Sequence, residues 1–387
     1  MTTLIENATL VTPFEELRDS ALLFDDQGLI VSIGETPPSL HEKITRVDAG
    51  GRYLIPGLID MHVHGGFGVS FGLGDLAADL EKYSTWAAGN AETGFLLSLT
   101  GPDADFIQKT LAAYANLLPR EYRGAQPLGL HLEGPFLNPE RHGAYNPAWI
   151  RLPSRAETQS YLDAGQGWIK HMTLAPELPG APEVARLLAD AGVIPALGHS
   201  NTDFEKASAA LRGYYSHVTH AFNAQSPLNH RQPGVVGALL ASERVTAELI
   251  ADGRHVHPAA MRILLRCLGV DRLVLITDAM PGAGMPDGDY DLLGQKVSVR
   301  GGFATLPDGT IGGSTAALNG CVRNMIRLAG ASFKEAIQMA SFNPARVLGL
   351  DDRLGSLQPG KSADLALVDA DLNVFMTFVK GKLVYSK

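Results

Sequence analysis

Through the middle of the chain, short apolar runs recur with stretches between most of them whose apolar positions fall three and four apart. Strand-length runs followed by helical spacing predict βα units. Eight runs can be read: YLIPGLIDMHVH, FLLSLTG, PLGLHLEG, IKHMTLAPE, VIPALGHS, YSHVTHAFNA, TAELIADGRHVH and LVLITDA. The intervening patterns include DLAADLEKYSTWAAGNAE, DADFIQKTLAAYANLL, DFEKASAALRG and HPAAMRILLRCLG, with Asp75, Asp103 and Asp203 at N-cap positions. Eight such units over about 225 residues match a (β/α)8 barrel of the TIM type. A doubly wound sheet would want a glycine-rich phosphate turn after its first strand, and GGFGVSFGLG lacks both the downstream acid and the spacing of one.

The two ends follow another pattern. Residues 2–56 alternate β-prone pieces with turns, and ADLALVDADLNVFMTFVKGKLVYS at the far end does the same. Because chain termini often meet, a small β-sandwich domain formed by both termini is expected, from residues 1–56 and 356–387, beside a barrel over 57–355.

Composition narrows the function. A chain of 387 residues with 45% hydrophobic and 19% charged residues has the size of a globular enzyme, and a net charge of −9 with no local basic tract argues against nucleic acid as partner. Any anionic ligand must then be held by a few placed groups. No basic leader precedes an apolar segment, and no run approaches the roughly 18 apolar residues of a membrane helix. Cys267 and Cys321 suggest no disulfide framework. A cytoplasmic location without membrane association is the default expectation.

The chemistry-bearing side chains sit late in the runs. His62 and His64 close the first, Glu133 the third and His199 the fifth; His220 lies well into the sixth, and Asp278 closes the eighth. In a parallel barrel these ends share one face, where active sites of this fold are built. A single histidine is ordinarily structural; this set is harder to explain so. Imidazoles and carboxylates without a thiolate suit zinc, iron, manganese or cobalt. A His-x-His on a strand points both rings to one side, so one strand can offer two ligands. Asp278 could be a ligand, a helix cap or a general base; the loop MPGAGMPDG that follows favours the base over the cap. Next to a cation, such a carboxylate can take a proton from water and return it to a leaving group. Asn223, Arg231 and His255 fall on loops at the same predicted face, while His171 and Lys170 fall toward the opposite one and read as structural.

LIPGLIDMHVHG, HLEGPF, GHS, THAFNA, IADGRHV, ITDA and the closing GSLQPGKSADLALVD together resemble the amidohydrolase superfamily, and within it the N-acetylglucosamine-6-phosphate deacetylases. The resemblance runs over nearly the whole chain in order. It implies a barrel with a small β domain and metal-dependent release of acetate from an N-acetylated sugar 6-phosphate. It implies Glu133, His199 and His220 as ligands of the main metal and Asp278 as catalytic acid/base. It further implies substrate contacts at Asn223, Ala224, Arg231, His255, Ile311, Gly312 and Gly313, with Arg231 reaching over from a neighbouring subunit of a homodimer. Members that keep the His-x-His pair hold two metals, so His62 and His64 are expected to bind a second ion bridged by Glu133. Tyr145 stands where the family has a substrate-contacting histidine, and Gln225 where it usually has methionine. These departures leave another N-acetylated phosphosugar, such as N-acetylgalactosamine 6-phosphate, open as the substrate; an N-acyl amino acid deacylase or a non-catalytic binding homologue are the more distant alternatives.

Overall fold

The computed structural model describes residues 2–35, 44–292 and 294–387. Among them, eight parallel strands lie side by side in sequence order: β1 Leu58–Val63, β2 Glu92–Leu99, β3 Gln126–Glu133, β4 Ile169–Leu174, β5 Ile194–Leu197, β6 His217–Val218, β7 Thr246–Ile250 and β8 Leu273–Ile276. The sheet closes between its first and last members. Val63 bridges Ala279, the Asp278 amide donates to His62 O at 2.8 Å, and the His64 amide donates to Ala279 O at 2.9 Å. The carboxylate of Asp60 on β1 reinforces this seam by accepting from the Thr277 amide and hydroxyl. The result is the TIM-like barrel that the eight runs predict.

Strands β1, β2 and β8 are buried along their whole length and the others nearly so, as expected where helices cover the outer face and side chains fill the lumen. The helix starts follow the sequence. Asp75 accepts from the Ala77 and Ala78 amides before α1 (Leu76–Ala88), Asp103 from Phe106 before α2 (Ala104–Leu117), and Asp203 from Lys206 before the helix Phe204–Arg212. The apolar face of α1 sets Tyr83 edge-on against Phe95 of β2 and Phe71, with ring centroids 4.8 and 5.1 Å away.

Strands from both ends form a second sheet, in which Tyr53–Pro56 pairs antiparallel with Leu365–Val368 and so stitches the N-terminal strands to the C-terminal ones. It has its own apolar core, including Ile5, Leu10, Phe24, Leu54, Leu365 and Phe378. Residues 36–43, inside the expected N-terminal segment, lie outside the described residues.

The run YLIPGLIDMHVH, read as one strand, is two: Tyr53–Pro56 belongs to the terminal sheet and Leu58–Val63 to the barrel. Gly57 is the switch point. A Cβ there would lie 2.0 Å from the Thr93 hydroxyl, so only glycine lets the chain pass this close to β2. No helix among the described residues is long and apolar enough to cross a membrane.

Candidate active site

The barrel mouth collects its polar side chains by a repeated backbone device. His199, His220 and Asp278 each stand two residues beyond the end of β5, β6 and β8, with φ of +47°, +26° and +49°. A left-handed residue after a strand turns its side chain inward instead of continuing the pleat, at a cost of order 1–3 kcal/mol for a non-glycine. Three such residues around one opening point to function rather than to packing. His64 follows β1 directly and Glu133 ends β3.

These side chains converge. Glu133 Oε1 lies 3.0 Å from His199 Nε2, 3.1 Å from His220 Nε2 and 3.6 Å from His62 Nε2, while its Oε2 is 3.2 Å from His64 Nε2. Asp278 Oδ1 is 3.5 and 3.4 Å from the Nε2 atoms of His62 and His64. Two clusters result, each with its ligating atoms within 4.8 Å of one another: Glu133, His199 and His220, and His62, His64 and Asp278.

The hydrogen bonds around the clusters decide which atoms face inward. His199 Nδ1 lies 2.8 Å from Arg141 O and His62 Nδ1 lies 3.0 Å from Glu248 Oε2; both partners only accept, so both Nδ1 atoms carry the proton. That turns the Nε2 atoms of both rings to the cluster centre, where His199 and His220 bring theirs to 3.0 Å and His62 and His64 to 3.3 Å of each other. Imidazole nitrogens and carboxylate oxygens gathered this closely make a donor set that suits a divalent cation.

Titration points the same way. Burial opposes charge on His62, but the charges of Asp278, Glu248 and Glu133 overcome it and push its pKa up to about 10. Burial likewise opposes the Glu133 carboxylate, yet hydrogen bonds from His199, His220 and His64 hold its pKa well below the ordinary range. The carboxylates at this mouth therefore demand positive charge, whether as protons or as metal ions.

Above the clusters lies a cavity of about 290 Å³. Tyr145, Asn223, Ala224, His255, Ile311 and Gly313 line it together with His64, Glu133, His199, His220 and Asp278, while His62 lies beneath, fully buried. Gly312 sits between two lining residues and spends its amide on Ala304 O at 3.0 Å. Tyr145 brings its hydroxyl to Thr100 and Gly101. Among the described residues neither the Tyr145 nor the Thr100 hydroxyl completes a well-formed hydrogen bond, and both oxygens are buried. Gln225 is a brace rather than a wall: its side chain donates to Thr219 O at 2.8 Å and accepts from the Phe222 amide, fixing the loop that carries His220 and Asn223.

Arg231 stays apart from the rest. It is exposed on the loop before the helix Gly234–Leu240, in a separate surface cleft with Arg141, Asn201 and Asn229. Sequence reasoning also missed part of the cavity. Thr100, Trp149, Leu292, Gln295 and Thr310 contribute, the third and fourth from an antiparallel flap of Gly288–Leu292, Gln295–Arg300 and Phe303–Thr305. Gln295 pins this flap to the far rim by donating to Ala144 O at 3.0 Å. The alternation in DYDLLGQKVSVRGGFATL was the available signal.

His255 is held by Asp252, which accepts from its Nδ1 at 2.7 Å and from its amide at 2.9 Å. Burial disfavours both charges, but the pairing prevails, raising His255 above its ordinary 6.5 and lowering Asp252 below its ordinary 3.8. The histidine's contribution to stability is therefore complete below pH 6.5 and lost as pH rises through its raised value; the aspartate's is complete above 3.8 and lost as pH falls through its lowered value. Against a His255→Gln variant, the wild type should be more stable by about 1–3 kcal/mol between pH 5 and 6, with the gap narrowing at alkaline pH. Thermal unfolding across pH reads this directly, and a gap that stays constant into alkaline pH would refute the ion pair.

The Amidohydrolase family profile matches residues 53–384. An N-acetylgalactosamine-6-phosphate deacetylase of Escherichia coli O157:H7 is 38% identical over 383 residues, covering 99% of each chain. An N-acetylglucosamine-6-phosphate deacetylase of Bacillus subtilis (strain 168) is 36% identical over 386 residues, covering 99% of this chain and 97% of that one. Among solved structures, N-acetylglucosamine-6-phosphate deacetylase from Pasteurella multocida superposes with a TM-score of 0.94 at 30% identity and full coverage of both chains. A mutant of the Mycobacterium smegmatis deacetylase in complex with N-acetyl-D-glucosamine-6-phosphate gives 0.91 at 32% identity, covering 100% of this chain and 99% of the other.

Proposed function

The chain belongs to the amidohydrolase family, and on that premise we propose that it hydrolyses N-acetylglucosamine 6-phosphate to glucosamine 6-phosphate and acetate. The observation that carries this reading is the convergence of His62, His64, Glu133, His199, His220 and Asp278 on the floor of one sugar-sized cavity. The barrel of residues 57–355 carries the chemistry, and the segments 1–56 and 356–387 make up the small β domain at its side.

Glu133, His199 and His220 would hold one divalent ion, and His62 and His64, with Glu133 as bridge, a second. Such ions supply Lewis acidity toward the acetyl carbonyl and make water acidic enough to attack at neutral pH. Asp278 Oδ1, turned into the mouth by its left-handed backbone, is placed to take a proton from the attacking water and to deliver it to the departing amine nitrogen. Glu248 keeps the proton of His62 on Nδ1, and Arg141 O does the same for His199, so both rings present Nε2 throughout. Tyr145 donates to a sugar or acetyl oxygen, and Trp149, Leu292 and Ile311 exclude bulk water.

The phosphate needs a cation, and among the described residues lining the cavity there is neither lysine nor arginine. An exposed Arg231 delivered by the neighbouring copy of a homodimer fills that need, with His255 beside it. Arg231→Ala should raise KM for the phosphorylated substrate about 10- to 100-fold, the loss of one or two charge-assisted hydrogen bonds, and leave the rate on unphosphorylated N-acetylglucosamine unchanged. An equal effect on both substrates would remove Arg231 from phosphate binding.

A second reading is N-acetylgalactosamine 6-phosphate, favoured by Tyr145 in place of the family's histidine and by the 38% identity to the Escherichia coli protein. Acetate release from the two epimers, with zinc, iron, manganese or cobalt supplied, tests the proposal. A kcat/KM higher for the galacto epimer would transfer the assignment to it, and no release from either would overturn both.

A further inference from the structure

A layer below the candidate active site, the barrel lumen holds a third group of metal-type side chains: His171 on β4, His217 on β6 and Glu248 on β7. All three are 0% exposed. Glu248 Oε2 is engaged upward, accepting from His62 Nδ1 and from the His220 amide at 3.0 Å each. Its Oε1 points down into the trio. That oxygen, His217 Nε2 and both ring nitrogens of His171 have no hydrogen-bond partner among the described residues. The neighbouring His131 differs: Ser98 and Thr173 satisfy its two nitrogens at 2.9 and 2.8 Å.

The spacing separates two explanations. Oε1 lies 3.5 Å from His217 Nε2 and 3.7 Å from His171 Nδ1. N–H···O bonds cluster between about 2.7 and 3.2 Å, so these are poor direct bonds. Ligands about 2.0–2.2 Å from a tetrahedral ion, in contrast, sit roughly 3.3–3.6 Å from one another. His217 is already oriented for such a role, since its Nδ1 is fixed on the Thr246 hydroxyl at 2.6 Å. Burial keeps His171 neutral, with a pKa near 3, and so preserves a lone pair on its ring.

We propose that His171, His217 and Glu248 form a buried site for one divalent cation of the zinc class, distinct from the clusters at the barrel mouth. The ion ties β4, β6 and β7 together across the lumen and clamps the carboxylate that orients His62. With no exposed ligand, it enters as the barrel forms and leaves only when the barrel opens. A chelator should therefore strip the mouth and spare this position.

The test uses the full chain produced with zinc in excess. Diffraction recorded on both sides of the zinc absorption edge should show an anomalous peak among the three side chains, and one zinc per chain should survive chelator dialysis. His171→Leu and His217→Gln should each lose that chelator-resistant zinc while keeping the metal at the mouth. Absence of an anomalous peak at the trio in zinc-saturated wild-type crystals overturns the proposal, whether water or direct hydrogen bonding is found there. Resistant zinc that persists in both variants overturns it equally. Should either variant fail to fold, the wild-type map decides alone, and it reads the lower position independently of how many ions occupy the mouth.

Discussion

An Asp278→Asn variant is expected to lose roughly 10²- to 10⁴-fold in kcat, the range that a positioned proton-transfer group supplies, while keeping its metal and nearly its KM. Asparagine is the informative substitution for two reasons. It retains an oxygen where Oδ1 now lies 3.5 and 3.4 Å from His62 and His64, so the local packing survives. It also tolerates the left-handed backbone of this position, φ +49°, better than alanine would. What it lacks is a basic oxygen. Steady-state rates beside metal analysis separate the roles: a rate within tenfold of wild type would show that Asp278 is not the proton carrier, and loss of metal would make it a ligand first.

Glu133→Gln is expected to be more severe, because it strikes binding as well as chemistry. Glu133 approaches all four mouth histidines, with distances of 3.0, 3.1, 3.2 and 3.6 Å. Replacing one oxygen by an amide nitrogen puts a donor among lone pairs that a cation should share and removes the charge that binds it. Metal at the mouth should fall below one ion per chain, activity should drop to background, and added zinc should no longer raise the thermal midpoint. The barrel itself should persist, since the β3 ladder uses backbone groups on both sides. A variant that still binds two ions at the mouth would exclude Glu133 as the bridge.

The strand ends were legible because a barrel converts sequence order into a ring: once eight apolar runs are counted, residues late in each must share a face. The helix caps at Asp75, Asp103 and Asp203 were legible for a local reason, a short acid before a periodic segment. Gly57 was not, since nothing in an apolar run announces that Thr93 will crowd it. The flap over the cavity hid behind Gly and Pro punctuation that reads as loop. His171 and Glu248 were obscured by the near-complete burial of barrel strands, which blurs the alternation that separates inward from outward positions. His131 and Glu133 share parity on β3, and extending that rule along each strand would have placed the inner layer. Arg231 lies on a loop that the sequence puts at the barrel mouth, yet it lines a separate surface cleft rather than the cavity.

The hydrogen bonds joining Asp278 N to His62 O and His64 N to Ala279 O close the barrel and also bring together residues at which proton transfer and metal binding would occur. Cylinder and catalyst are thus one mechanical part. A local opening between the first and last strands would move the carboxylate away from the histidine pair in the same event, leaving no partly open state with its acid still aligned. Amide exchange at residues 64 and 278 would then report the fraction of time the enzyme spends out of register, linking catalytic downtime to the breathing of a single seam.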